Sequence, residues 1–353
     1  MNFSINRLDN IKIDKKDYNI ISEDIAQKIN MNGAIVGADS EWLIDEKDVM
    51  YILKNSELRS LMGEFMYQAL IRKPIMLFLM PTLEAEFEGT KVEFDRQYGS
   101  KMIHLNNFAQ SFSIACWFIK DSCVSAVYTY WLNMLNGYYS QAVRHADTML
   151  SDGTVKEIAF TDDEITEAVA RMYQVYRYLL PDESRAGSAE MTISGGTTVW
   201  EIDKAISTEG NSFARALILL QEARKTGVIS TRIDKYCSIL ECLYAIRREH
   251  KKNISQITAA YIGKDATEMT LIEADMRDAY GVRSDGSHGE NLKYLRDNNQ
   301  EDLVRLSKKI DEYVRRVFRK VIMDDALNYD TTEDRKTAVR AYFRRVAEAV
   351  YQN

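Results

Sequence analysis

Downstream of residue 211, apolar residues recur at helical spacing in one segment after another. Ser212 can cap a helix whose stripe is Phe213, Leu217, Leu220 and Ala223, with Gly227 as its stop. A second helix, from Ser230 or Thr231, sets Ile233, Cys237, Leu240 and Tyr244 along one face. A third covers Ile254 to Tyr261. A fourth covers Ala266 to Tyr280, with Ile272, Met276 and Ala279 facing inward. Leu303, Leu306, Ile310, Val314, Val317 and Val321 define a long helix, and Thr331-Thr332-Glu333-Asp334 opens a last one with a capping-box pattern. The pattern predicts an all-α bundle of about six helices.

Upstream the periodicity is mixed. Residues 83–88 and 91–95 alternate strictly on either side of Gly89-Thr90, which predicts a β-hairpin. Leu83, Ala85, Phe87, Val92 and Phe94 would share its buried face, with Glu84, Glu86, Glu88, Glu93 and Asp95 on a solvated one. Gly33-Ala-Ile-Val-Gly and Trp42-Leu-Ile are short strand candidates, Asp48 to Ala69 reads as helix, and Asp162 to Leu180 keeps helical spacing. After Pro181 the chain turns small and polar, rich in Gly and Ser. The expected organisation is an α+β N-terminal domain over 1–181, a linker over 182–200 and an all-α helical domain over 201–353.

Composition narrows the function classes. A chain of 353 residues with 46% hydrophobic and 28% charged residues is that of a globular protein with ample core. The run Ile75 to Met80 is held between two prolines, and Lys120 and Asp121 interrupt the apolar stretch 112–132, so neither reaches the ~20 residues a spanning helix needs. No signal peptide is read at the N-terminus, so the expectation is a cytoplasmic protein without a membrane partner. Cys116, Cys123, Cys237 and Cys242 include no C-x-x-C and read as buried free thiols, with no metal site and no cofactor implied. A net charge of −7 excludes a globally basic nucleic-acid binder; RNA contacts must come from a local patch. The stretch Ser194-Gly-Gly-Thr197 is no phosphate loop, because no Gly-Lys-Ser/Thr follows.

The chemistry-bearing stretch is Y-G-V-R-S-D-G-S-H-G, Tyr280 to Gly289. Arg283 is a fixed cation able to grip phosphate with a fork of hydrogen bonds, and His288 is suited to moving protons near neutral pH. Helical periodicity places Arg283 just past one helix and His288 just before the next, with Gly281, Gly286 and Gly289 turning the loop. The dipole favours an Arg at a helix C-terminus and a neutral, base-competent His at an N-terminus. Ser284, Asp285 and Ser287 add polar groups that could orient the imidazole or a phosphate oxygen.

An R-x4-H motif at a helix–loop junction of a helical bundle resembles the HEPN ribonuclease domains of prokaryotic defence and toxin systems. R-I-D-K-Y-C-S-I-L-E-C-L-Y, Arg232 to Tyr244, resembles the first long helix of the Apea-like HEPN group, and the stretch from Tyr280 to Gly289 is similar to its Y-x-x-R-S-x-x-x-H-G. The resemblance covers roughly residues 210 to 325, and S-I-A-C-W-F-I-K-D-S, Ser113 to Ser122, is faintly similar to a segment preceding the HEPN part in relatives. It implies a metal-independent RNA endonuclease, an antiphage defence or toxin effector, with Arg283, His288 and Ser284 as catalytic residues. One chain offers one motif histidine, so the resemblance further implies a homodimer with a composite site. Ser284 stands where the wider superfamily often has Asn, His or Asp, which leaves its orienting role open.

Two alternatives accompany this reading: a surface loop with an idle histidine, and a non-catalytic HEPN module that dimerises and binds RNA or a partner protein. For an active effector, a regulatory partner or a phage-derived trigger is the expected input. The candidate RNA-backbone contacts are Arg315, Arg316, Arg319 and Lys320, although a solvated helix face is the preferred explanation of them. His104, His145 and His250 carry no partner pattern. Glu241, within the apolar stripe of its helix, is either a satisfied core carboxylate or the group that orients Arg283.

Overall fold

The computed structural model describes residues 2–13, 17–19, 32–36, 56–80, 90–133, 137–143, 148–179, 189–194, 197–202, 212–287, 290–324, 327, 329 and 333–351. The chain forms two compact units. One comprises Met1–Ile119, Cys123–Asp147 and Lys156–Ala205; the other comprises Lys120–Ser122, Thr148–Val155 and Ile206–Asn353. The first is α+β and the second helical.

In the α+β unit, strands β1 (Asn2–Arg7), β3 (Asp17–Asn19), β4 (Asn32–Val36), β5 (Ile75–Met80), β6 (Tyr128–Asn133) and β7 (Tyr138–Val143) form a sheet of order β3-β4-β5-β1-β6-β7. Every pairing in it is antiparallel. Helices α1 (Ser56–Met62), α2 (Glu64–Ile71), α3 (Lys91–Ile119) and α4 (Asp162–Leu179) accompany it, and β2 (Ile11–Ile13) pairs in parallel with β8 (Ile158–Phe160). The proline-bounded run Ile75 to Met80 is a central strand. Ile75 and Leu77 join Ile5, Tyr130, Leu132, Met62 and Leu70 in one apolar cluster. Met76 and Phe78 join Trp131, Phe108, Phe112, Ile165 and Met172 in another. Burial on both faces is why this strand is apolar throughout instead of alternating.

Three expectations are corrected here. Residues Lys91 to Asp95 are not a hairpin strand: they open α3, and Val92 is 42% exposed. The overlooked signal is a capping box, in which Thr90 N donates to Glu93 Oε2 at 2.8 Å and Glu93 N donates to Thr90 Oγ1 at 3.4 Å. Residues 83–89 and Trp42-Leu-Ile lie outside the described residues. The helix read over Asp48 to Ala69 is broken at Gly63, whose φ of 80° suits a residue without a Cβ. Within the stretch read as a linker, β9 (Ala189–Ser194) pairs with β10 (Thr197–Ile202) in an antiparallel hairpin. Its β-branched Thr192, Ile193, Thr197, Thr198 and Val199 flank Gly195-Gly196 in sequence, a hairpin signal.

The helical unit contains α5 (Ser212–Lys225), α6 (Ile229–Tyr244), α7 (His250–Ile262), α8 (Ala266–Ser287), α9 (Tyr294–Asp297), α10 (Gln300–Met323) and α11 (Glu333–Tyr351). The stripes read from the sequence are buried: Phe213, Leu217, Leu220, Ile233, Leu240, Ile272, Met276, Leu306, Ile310, Val314 and Val317. Asn299 caps α10 through a reciprocal box with Asp302. Two buried arginines tie earlier chain to the helices. Arg224 Nη2 donates to the Ser122 carbonyl at 3.0 Å, and Arg232 donates to the carbonyls of Leu150 and Thr226. Asp121 accepts the Ser151 hydroxyl at 2.6 Å, and Ser307 Oγ donates to the Ser151 carbonyl at 2.7 Å.

Gly263 at the end of α7 is required by space. A Cβ there would collide with Met269 Cγ and lie 2.6 Å from the Ala259 carbonyl oxygen. Gly263→Ala is therefore expected to cost about 1–3 kcal/mol, read as a lower urea midpoint with unchanged slope. The cysteines are all free: Cys116, Cys123 and Cys237 are buried and Cys242 is partly so. Among the described residues, no helix is long and apolar enough to cross a membrane.

Candidate active site

Helix α8 does not stop where the spacing predicted. It runs on through Gly281 and Gly286 to Ser287, so Arg283 is helical and not in a loop. Two helical glycines cost about 1 kcal/mol each relative to alanine. Buried Val282 and the bonds of Arg283 to the neighbouring helix hold the extra turns in place. The expected glycine-rich turn is corrected accordingly. His288 lies outside the described residues, and the next helix begins at Tyr294.

Asp234 and Glu241 are seven residues apart on α6, two turns along one face. Arg283 bridges them. Its Nε donates to Asp234 Oδ1 at 3.0 Å and its Nη1 donates to Glu241 Oε1. Its guanidinium carbon stands 5.2 Å from the centroid of the Tyr280 ring. Burial by itself would lower the Arg283 pKa, but the hydrogen bond and charge of Glu241 outweigh it and raise the pKa. The cation is thus permanent. Nη2 has no intramolecular partner among the described residues, and the side chain is 21% exposed, so one edge of the fork remains for a ligand.

Glu241 Oε1 also meets His250 Nδ1 at 3.0 Å. A carboxylate only accepts, so the Nδ1–H of His250 donates in this contact. Sequence reading gave His250 no role. Its signal was hidden, because His250 begins α7 and meets Glu241 only through packing. Of the two readings open for Glu241, the structure selects the one that orients Arg283. The Cys237 thiol one turn before Glu241 is pushed up to about 12 by burial, which removes it as a nucleophile at neutral pH.

Ser284 is exposed and lines an adjoining cavity of about 370 Å³, together with Lys251, Arg277, Tyr280, Lys293 and Tyr294. Asp285 takes no part with Arg283. Its carboxylate accepts from the Lys293 backbone N–H at 2.7 Å, the main cause of its lowered pKa, and pairs with Lys293 Nζ at 3.1 Å. Of the catalytic candidates, Arg283 and Ser284 therefore share one end of α8.

The candidate RNA contacts sit on α10 and are engaged within the unit. Arg315 pairs with buried Asp311. Arg316 pairs with Glu268 at 2.9 Å, and Lys320 Nζ donates to the Tyr261 carbonyl at 2.6 Å, 4.4 Å from that ring's centroid. Arg319 is half-buried on the same helix. The Arg316 and Lys320 contacts hold α10 against α8 and α7. Among the described residues, no group of three or more His, Cys, Asp or Glu could hold a metal ion. Compared with protein-family models, curated proteins and solved structures, the chain matches none.

Proposed function

We propose that this chain is a metal-independent RNA endonuclease of the HEPN type, acting as an antiphage or toxin effector. The observation that carries the reading is Arg283, held by two carboxylates of α6 with one edge of its guanidinium still available. In this scheme Arg283 neutralises a non-bridging phosphate oxygen. His288 takes the proton of the 2′-hydroxyl, the 2′-oxygen attacks phosphorus, and the 5′-oxygen leaves with a proton from a second acid. The products are a 2′,3′-cyclic phosphate and a 5′-hydroxyl. A second copy of the chain in a two-fold dimer supplies the second imidazole. Ser284, in the adjoining cavity, contacts the substrate.

His250 is a positioning residue: it fixes Glu241, which fixes Arg283. His250→Ala is expected to lower the cleavage rate about tenfold without abolishing it, checked by initial rates on labelled single-stranded RNA.

The primary test is cleavage of single-stranded RNA by the purified chain in EDTA, with end-group analysis. Cyclic phosphate ends that vanish in His288→Ala and Arg283→Ala support the proposal; undiminished cleavage by either variant sinks that assignment.

A second reading has its own support. Two carboxylates, those of Asp234 and Glu241, face the single guanidinium of Arg283, an arrangement that opposes an incoming phosphate. A non-catalytic HEPN module that dimerises and binds RNA or protein would tolerate this. Dimers without cleavage under any condition would favour it.

A further inference from the structure

We propose that the cavity beside Arg283, along the C-terminal half of α8, selects guanine next to the scissile phosphate. This inference rests on the ribonuclease reading above and names the sequence that the same site cuts. The cavity measures about 370 Å³. That is within the range of ligand sites, roughly 300–1,000 Å³.

Gly281 forms part of the cavity wall. It lies inside α8, where glycine is destabilising relative to alanine. Neither space nor backbone demands it: a Cβ there would meet nothing within 4 Å, and its φ is not left-handed. The reason that remains is close approach of a ligand to the helix backbone.

The wall also carries groups of both signs that are not spent on the protein. Among the described residues, the Lys251 ammonium and the Asp278 carboxylate make no hydrogen bond or ion pair. The hydroxyls of Tyr280, Ser284 and Tyr294 likewise have no hydrogen-bond partner there. Lys251 and Asp278 sense each other without joining: burial and then Asp275 raise the Asp278 pKa, and Lys251 opposes them. The remaining cations are occupied, Arg277 by Glu273 and Lys293 by Asp285. The bond from the Lys293 backbone N–H to Asp285, at 2.7 Å, also mounts the Tyr294 wall on α8.

A carboxylate and an ammonium on one cavity wall call for a flat ligand with donors and an acceptor along one edge. Of the four RNA bases, guanine alone sets two adjacent donors, N1–H and N2–H, beside the acceptor O6. Asp278 accepts both donors, Lys251 donates to O6, and the Tyr280 and Tyr294 rings offer stacking surfaces. Tyr280 also joins the cavity to the arginine, whose guanidinium carbon stands 5.2 Å from its ring centroid. The cavity therefore adjoins the cation that the scheme assigns to the phosphate.

The test is fluorescence anisotropy of the full chain with short RNAs whose riboses are 2′-O-methylated and so cannot be cut. Their central base is G, inosine, A, C or U. G is expected to bind at least about fivefold tighter than the other bases and than inosine, which lacks the N2 amine. Asp278→Asn and, separately, Gly281→Leu, which puts a side chain into the cavity, should each bring that ratio close to one. Circular dichroism melts verify that both variants fold. Equal affinities for G and inosine, preference for another base, or a G preference that either variant keeps overturns the proposal. So does failure to bind any of these RNAs. Cleavage mapping in EDTA separates this inference from the reading beneath it. Cuts without base preference sink the guanine site and leave the ribonuclease; G-selective binding without cuts does the reverse.

Discussion

Glu241→Ala is expected to lower metal-free RNA cleavage by at least about a hundredfold, close to the loss from removing Arg283 itself. Glu241 touches no substrate in the proposed scheme. It fixes Nη1 of the arginine and, through the same oxygen, the His250 ring. Without it the guanidinium keeps only Asp234 and can swing away from the phosphate, and small misplacements of a charged group are costly. The two losses should not add: Glu241→Ala/Arg283→Ala is expected to cleave about as slowly as either single variant. Glu241→Gln, which keeps an acceptor but loses charge, should fall between. Initial rates on end-labelled RNA in EDTA read all four proteins. Additive losses would show that the two residues act separately.

Arg232→Met is expected to destabilise the helical unit by about 3 kcal/mol while leaving the Arg283 cluster chemically intact. Arg232 is fully buried and donates to the carbonyls of Leu150 and Thr226. Hydrogen bonds from a charged group contribute about 1.5–3 kcal/mol each, and their loss strands two buried acceptors. Methionine fills most of the volume, so the cavity contribution stays small. Because a domain's whole stability is about 5–15 kcal/mol, the loss should appear as a large shift of the urea midpoint. Arg232→Lys, keeping the charge but not the fork, should recover only part of it.

The helices were legible wherever one face is buried and the other wet, as in α4, α5, α6, α7 and α10, because burial imposes the spacing that the sequence displays. The failures have local causes. At Lys91 to Asp95 a run compatible with two periods was decided by the Thr90–Glu93 cap. At Gly281 and Gly286 intrinsic propensity argued for a turn, and the tertiary bonds of Arg283 overrode it. At the site, the motif named Arg283 and Ser284, and Glu241 could be suspected as a polar residue in an apolar stripe. Asp234 and His250 could not be assigned, since their roles depend on how α6, α7 and α8 pack.

The clamps of Arg224 and Arg232 also set a timetable for synthesis. Ser122 precedes Arg224 by 102 residues, Leu150 precedes Arg232 by 82, and Ser151 precedes Ser307 by 156. At ~5–20 residues per second, these acceptors leave the ribosome roughly 4–30 s before their donors exist. Through that interval water occupies those carbonyls; Arg224 and Arg232 displace it from Ser122 and Leu150, and the Ser151 carbonyl waits for α10 to bring Ser307.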